Sequence, residues 1–149
     1  MYKKILVPLD GSELAETVLS HVEALTPEAE MILLRVLPAT GVLPATAEAE
    51  RSAAQESLER AKERLQEKGI KAHTTIRHGE DAAGEITDYA EVNDVDLIAM
   101  STHGRSGVGR WIFGSVAEKV LRGTNKPILL VRVPGISKTG LPLAPELKL

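Results

Sequence analysis

Five short segments separated by longer helical patterns constrain the fold of this chain more than any other feature. They comprise residues 4–9, 31–37, 71–77, 95–100 and 127–133. All but the third are nearly continuous aliphatic runs, which are typical of strands whose two faces are both covered. The third segment is more polar, so we expect it at an edge of the sheet. Strands that alternate with helices predict an α/β fold, with a parallel sheet, helices on both faces and right-handed crossovers.

The segments between the strands predict four helices with apolar stripes. The first begins after Ser12, a favourable capping residue, and the others span residues 47–68, 81–92 and 115–122. The predicted buried positions are Leu14, Val18, Val22 and Leu25 in the first helix, Ala54, Leu58, Ala61 and Leu65 in the second, and Ala83, Ile86 and Ala90 in the third. We expect the charged remainder of the second helix to face solvent.

The length of the chain predicts one domain, because 149 residues are enough for a core but too few for two ordinary domains. Residues 1–134 are predicted to form this domain, and residues 135–149 an irregular C-terminal tail rich in proline and glycine. The formal net charge of −3 argues against general binding of nucleic acid or anionic membranes, since both need a basic face. The chain has no cysteine, no signal-peptide pattern and no run long enough to span a membrane, so we expect a cytoplasmic protein.

A glycine-rich loop between the fourth strand and the fourth helix carries the strongest functional signal. The apolar run ends at Met100, and the loop continues to Gly114 and Ser115, where the helix begins. Glycines allow backbone N–H groups to approach a phosphate, and the helix N terminus adds a partial positive charge. The loop therefore predicts a phosphate-binding site and a nucleotide ligand. Residues 10–12 follow the first strand, and both loops face one crevice if the two strands are neighbours.

Structural roles compete with ligand binding at the polar residues of both loops. Asp10 is either a turn residue or a contact of the ribose. Ser115 either starts a capping box with Glu118 or contacts a phosphate, and the two roles are compatible. Arg105 is either solvated or neutralises a phosphate. The histidines lack the spacing of metal ligands, so we assign no metal-binding and no catalytic residue.

A set of short motifs distributed over residues 1–133 resembles the pattern of a known protein family. The set comprises Ile-Leu-Val-Pro-Leu-Asp-Gly-Ser at 5–12, His-Gly-Glu at 78–80, Asp-Leu-Ile-Ala-Met at 96–100, His-Gly-Arg-Ser-Gly at 103–107 with nine residues between Gly104 and Gly114, and Lys-Pro-Ile-Leu-Leu-Val at 126–131. With these motifs the chain resembles the universal stress protein family, specifically its ATP-binding type. That type has a first glycine where this chain has Ser101. Serine is also small, so we expect nucleotide binding to survive.

The resemblance implies a fold, an assembly and a ligand site. The implied fold is a Rossmann-like, five-stranded parallel sheet of order 3-2-1-4-5, and the implied assembly is a homodimer that pairs residues 128–133 of two copies. The implied ligand is ATP, with Mg²⁺ or Mn²⁺ bound through its phosphates. The implied nucleotide-binding residues are Pro8, Leu9 and Val36 at the adenine, Asp10 at the ribose or adenine edge, Met100, Ser101, Thr102, His103 and Gly104 below the ribose and α-phosphate, and Arg105, Ser106, Gly107, Gly114, Ser115 and Val116 around the outer phosphates.

Nucleotide binding fits this sequence better than catalysis. The glycine-rich loop lacks the lysine of a Walker motif, and no residue is a convincing base or water-orienting group for phosphoryl transfer. We therefore predict a dimeric, nucleotide-dependent stress-response or regulatory protein with at most slow ATP hydrolysis. The alternatives are a slow ATPase or self-phosphorylating enzyme that uses His103, Ser106 or Ser115, a nucleotide-free interaction module, and a sensor of AMP or cyclic AMP.

Overall fold

Strands and helices alternate along the part of the chain that the computed structural model describes. This part comprises residues 2–25, 27–39, 41, 43–102 and 114–132, without the side chains of residues 13–15. The elements are β1 (Lys4–Pro8), α1 (Glu13–Leu25), β2 (Glu30–Leu37), α2 (Pro44–Glu67), β3 (Ala72–His78), α3 (Ala82–Val92), β4 (Leu97–Ser101), α4 (Ser115–Gly123) and β5 (Ile128–Val131). The predicted tail at 135–149 lies outside the described residues.

The strands form one sheet of order β3-β2-β1-β4-β5, and every pair is parallel. This confirms the predicted fold class and strand order. Ile5 lies opposite Met31 on one side and opposite Leu97 on the other, so β1 occupies the centre of the sheet. After β1 the chain continues to one half of the sheet, and after β4 it continues to the other half. The topological switch therefore lies between β1 and β4, at the carboxyl ends of the two central strands.

Two apolar layers cover the two faces of the sheet. In β2, Met31 and Leu33 belong to the layer that includes α1 and α2, whereas Ile32 and Leu34 belong to the layer that includes α3 and α4. This alternation follows from the two-residue period of a strand. Because each face is covered by helices, the central strands are apolar at successive positions, which explains their continuous aliphatic sequences.

The predicted buried stripes are confirmed in α2 and α3, where all the named alanines, leucines and Ile86 are buried. In α1, Val18 and Val22 are buried as predicted, but Leu25 is 66% exposed, so that part of the prediction is wrong. Leu25 is the last residue of the 13-residue helix α1, and it lies outside the core layer that Val18 and Val22 join. Leu19, which the predicted stripe omitted, is buried instead.

The start of α4 differs from the predicted capping box. Gly114 is the N-cap, so Ser115 is the first helical residue, and no side chain in the described part of the chain caps this end. Glu118 does not reach back to the cap; its carboxylate accepts a hydrogen bond from Arg122, at 2.9 Å, one turn later. The capping box therefore does not form, because the helix begins at Ser115 itself, one residue earlier than a serine cap at this position requires.

Candidate functional site

A cavity of about 330 Å³ opens at the carboxyl edge of the sheet, at the switch between β1 and β4. Most of the predicted site residues line it, namely Pro8, Leu9, Asp10, Val36, Met100, Ser101, Thr102, Gly114, Ser115 and Val116. The remaining predicted residues, His103, Gly104, Arg105, Ser106 and Gly107, lie outside the described residues. The fold therefore brings together the end of β1, the end of β4 and the start of α4, as expected for neighbouring central strands.

The cavity also has apolar lining residues that sequence reasoning missed. Leu34, Ala82, Ile86 and Ala117 complete its walls. Leu34 lies two residues before Val36 and faces the same side of the sheet, so the period of the strand was a usable signal. Ala82 and Ile86 are on α3, and no local pattern relates that helix to the loops after β1 and β4. Only the packing of α3 on the sheet places them in the site.

The polar end of the cavity is fixed by backbone hydrogen bonds of Thr102. This residue is 5% exposed, and its N–H donates to the carbonyl of Val131 at 2.9 Å. Its own carbonyl accepts a hydrogen bond from the N–H of Gly114 at 2.5 Å. The chain therefore leaves the sheet after β4 and returns to the same point at the start of α4. This contact holds the helix N terminus at the end of the strand.

The N terminus of α4 presents backbone donors to the cavity. The first N–H groups of a helix have no partner within the helix, and they carry a partial positive charge. Ser115, Val116 and Ala117 form the first turn of α4 and all line the cavity. Because no described side chain caps this end, the arrangement suits an anionic group such as a phosphate.

Asp10 forms the turn that closes the opposite side of the cavity. Its carboxylate oxygen Oδ1 accepts hydrogen bonds from the backbone N–H of Ser12 at 2.9 Å and from the Ser12 hydroxyl at 2.5 Å. The next residue, Gly11, has a φ of +85°, a conformation that glycine adopts without strain. The structural role foreseen for Asp10 is therefore present. Since Asp10 also lines the cavity, the turn places a carboxylate at its rim.

A family model described as the Universal stress protein family matches residues 1–132. This chain belongs to the universal stress protein family. The match includes every described residue, and it confirms the resemblance found in the motifs.

Known relatives of this universal stress protein match it over most of their length. Universal stress protein MJ0531 of Methanocaldococcus jannaschii is 35% identical over 144 residues, which are 90% of this chain and 84% of the relative. A solved structure of MJ0577 from the same organism has a TM-score of 0.74 and 34% identity, covering 89% of this chain and 97% of that one. The structure of the universal stress protein from Archaeoglobus fulgidus in complex with dAMP has a TM-score of 0.70 and 23% identity, and the match covers 87% of this chain and 97% of that one. At that identity the likeness shows the shared fold.

Within the described residues, no group of three or more histidine or acidic side chains is arranged to hold a metal ion. No helix in the same part of the chain is both long and apolar enough to cross a membrane.

Proposed function

We propose that this universal stress protein binds ATP in the cavity between β1 and β4 and acts as a nucleotide-dependent regulatory protein. One observation carries the proposal: an apolar slot and a helix N terminus that no described side chain caps open into the same cavity. A nucleotide has a flat apolar base at one end and phosphates at the other. The apolar slot suits the base, and the helix N terminus suits the phosphates.

The adenine is proposed to lie in the apolar part of the cavity. Leu34, Val36 and Ile86 provide aliphatic surface there, on strands and helices of the rigid scaffold. Aliphatic side chains on both sides of a slot favour a planar base, because burying its faces removes apolar area from water. Asp10 lies at the rim, where its carboxylate is proposed to accept hydrogen bonds from the ribose hydroxyls.

The phosphates are proposed to lie at the start of α4. The N–H groups near Ser115 and Val116 provide donors for the phosphate oxygens, and the residues from His103 to Gly107 keep the roles that the family resemblance implies. A Mg²⁺ or Mn²⁺ ion is proposed to bind through the phosphate oxygens. Such an ion commonly retains several waters and needs few protein ligands.

Titration calorimetry with ATP, AMP and cyclic AMP, with and without Mg²⁺, tests this proposal. We expect ATP to bind, and an ATP concentration 100 times the Kd to raise the melting temperature by roughly 5–10 °C. A protein that releases no heat with any of these ligands and keeps its melting temperature contradicts the proposal. If AMP or cyclic AMP binds more tightly than ATP, the protein is a sensor of those nucleotides instead.

Catalysis is tested separately with radiolabelled ATP. We propose at most slow hydrolysis, because none of the described cavity residues is placed as a base beside the phosphate end. Turnover should therefore be slow, and close to that of a Gly114→Asp variant. Turnover far above that variant indicates an enzyme. The cytoplasmic location expected from the sequence stays a prediction.

The assembly is proposed to be a homodimer formed through β5. This strand is at an edge of the sheet, and its residues Ile-Leu-Leu-Val are all aliphatic. The opposite edge strand, β3, contains His73, Arg77 and His78, and such charged or titratable side chains discourage pairing with another chain. An aliphatic edge without such protection favours addition of a second copy. The mass in solution tests this proposal.

A further inference from the structure

A second cavity, of about 390 Å³, lies beside the first at the carboxyl edge of β1 and β2, on the side covered by α2. Asp10 and Val36 line both cavities, so they form the boundary between them. The second cavity differs in chemistry, because Arg35, Glu50 and Arg60 contribute charged side chains to its walls. A charged cavity therefore adjoins the rim at which Asp10 is proposed to contact the ribose.

Arg35 points into this second cavity because side chains alternate along β2. Its neighbours Leu34 and Val36 line the first cavity, so the side chain between them extends from the opposite face. The guanidinium of Arg35 lies against Gly11, with Nη1 so close that a Cβ at residue 11 would overlap it. Arg35 therefore packs on the turn that contains Asp10, from the side opposite the first cavity.

The position of the Asp10 carboxylate depends on this turn. Within the turn, Oδ1 is held by the N–H and hydroxyl of Ser12. Before the turn, the N–H of Leu9 donates to the carbonyl of Leu34 at 2.8 Å, which ties the chain to β2. Arg35 is the next residue of β2, and its guanidinium supports Gly11 from outside. Strand β2 thus holds the turn through its backbone and through the side chain of Arg35.

We propose that Arg35 is a positioning residue for Asp10, and that it thereby sets the preference of the first cavity for ribonucleotides over 2′-deoxyribonucleotides. The inference rests on the proposed function. A carboxylate recognises ribose by accepting hydrogen bonds from its hydroxyl groups, and these bonds need a fixed orientation. Loss of Arg35 leaves the base slot and α4 in place. It therefore affects recognition of the sugar more than binding of the base or the phosphates.

The test is the ratio of the affinities for ATP and 2′-deoxy-ATP, measured by titration calorimetry. We expect the wild-type protein to prefer ATP roughly tenfold or more, as for a hydrogen bond to a charged group. The ratio for Arg35→Met should fall to about threefold or less, because a carboxylate without a fixed orientation forms a weaker hydrogen bond to the ribose hydroxyl. Arg60→Met is the matched control, because Arg60 lines the second cavity from α2, and it should keep the wild-type ratio.

A double-mutant cycle of Arg35→Met and Asp10→Asn shows whether Arg35 acts through Asp10 or independently of it. Asp10→Asn alone should also reduce the ratio, and adding Arg35→Met to it should change the ratio no further. Thermal melts identify any variant that fails to fold, and Arg35→Gln replaces Arg35→Met in that case.

Several outcomes overturn this inference. It is overturned if Arg35→Met keeps the wild-type ratio of the affinities for ATP and 2′-deoxy-ATP, or if Arg35→Met lowers this ratio equally in the Asp10→Asn background. It is also overturned if the wild-type protein shows no preference for ATP over 2′-deoxy-ATP. In all these cases ATP still binds, so the proposed function stands. A wild-type protein that binds neither nucleotide contradicts the proposed function itself, and the inference fails with it.

Discussion

Gly114 combines a structural contact with a position at the cavity wall. Its N–H donates to Thr102, it is the N-cap of α4, and it lines the cavity. Its φ of −55° and ψ of 153° are open to any residue, so the backbone itself does not require glycine here. If the proposed function is correct, the missing side chain leaves space for the phosphates.

Replacing Gly114 by valine should weaken ATP binding while the protein still folds. The isopropyl group would enter the phosphate space, and we expect an affinity loss of about 5- to 150-fold, since overpacking costs roughly 1–3 kcal/mol. Calorimetry measures the affinity, and a thermal melt verifies the fold. Gly123→Ala is the control, because a Cβ there would meet Thr87 at an ordinary 3.6 Å. Unchanged affinity in Gly114→Val would refute the assignment of the phosphate end.

Asp96 connects the two central strands at the opposite edge of the sheet. Its Oδ2 accepts hydrogen bonds from the backbone N–H groups of Lys4 at 2.9 Å and Lys3 at 3.0 Å. These bonds, from Lys4 first and then Lys3, hold the pKa of Asp96 below its ordinary value of 3.8, against an opposing contribution from desolvation. A lowered pKa in the folded state means that the ionised carboxylate stabilises the protein.

The contribution of Asp96 should be lost in acid. Because the folded-state pKa is the lower one, this stability is present above 3.8 and disappears as the pH falls through the folded-state value. Asp96→Asn should therefore be less stable at neutral pH and lose less stability on acidification. Urea titrations at a series of pH values measure this difference. Glu91→Gln, at an exposed position of α3, should keep the wild-type pH profile, and parallel profiles for Asp96→Asn and wild type would contradict the argument.

Helix α1 carries two leucines that differ in burial although they lie less than two turns apart. Leu19 and Leu25 lie on the same helix, but Leu19 is 1% exposed and packs in the core, whereas Leu25 projects into solvent. The two leucines have the same chemistry and similar helical surroundings. Their contributions to stability should therefore differ only through burial.

Leu19→Ala should lower the free energy of unfolding by about 2–5 kcal/mol, because it removes buried apolar surface and leaves a cavity. Leu25→Ala should change it by no more than about 0.5 kcal/mol, as for an ordinary surface position. Chemical denaturation of both variants gives the comparison. Equal losses in the two variants would place the end of α1 against the core and would contradict the observed packing.

The assembled sheet has two edges with different chemistry, and this difference bears on how copies of the molecule pair. The carbonyl of Pro127, just before β5, accepts a hydrogen bond from the N–H of Ile98 in β4, and the carbonyl of Val131 accepts one from Thr102, just after β4. Hydrogen-bonding direction alternates along a strand, so the N–H and carbonyl of Leu130 point away from the sheet. Leu130 therefore offers its backbone to a second copy under the proposed dimer.

Leu130→Pro should convert the proposed dimer into a monomer, because proline removes the outward N–H without removing a bond to β4. Leu130→Ala is the matched control, since it also loses the leucine side chain but keeps the N–H, and it should remain dimeric. Light scattering coupled to gel filtration measures both masses. A monomeric wild-type protein at micromolar concentration would rule out pairing through this edge.

The site was predictable wherever its residues follow a strand end. Pro8, Leu9 and Asp10 directly follow or end β1, and Gly114 and Ser115 mark the helix start, so local patterns indicated them. Ile86 carried no such signal, because it reads as one more core position of α3. Its place at the cavity depends on how α3 crosses the sheet. The prediction for Leu25 failed for a related reason, since the period of a helix does not report where its packing on the core ends.

The order of elements, the parallel sheet and the two loops of the site follow from the sequence, because aliphatic runs, helical periods and glycines act through neighbouring residues. Contacts between distant segments needed the tertiary structure. The sequence does not tell that Arg35 supports the turn at Gly11, or that Gly114 rather than Ser115 caps α4. Each of these depends on distances between elements far apart in the chain, and side-chain packing and backbone hydrogen bonds fix those distances only when the whole sheet and its helices have assembled.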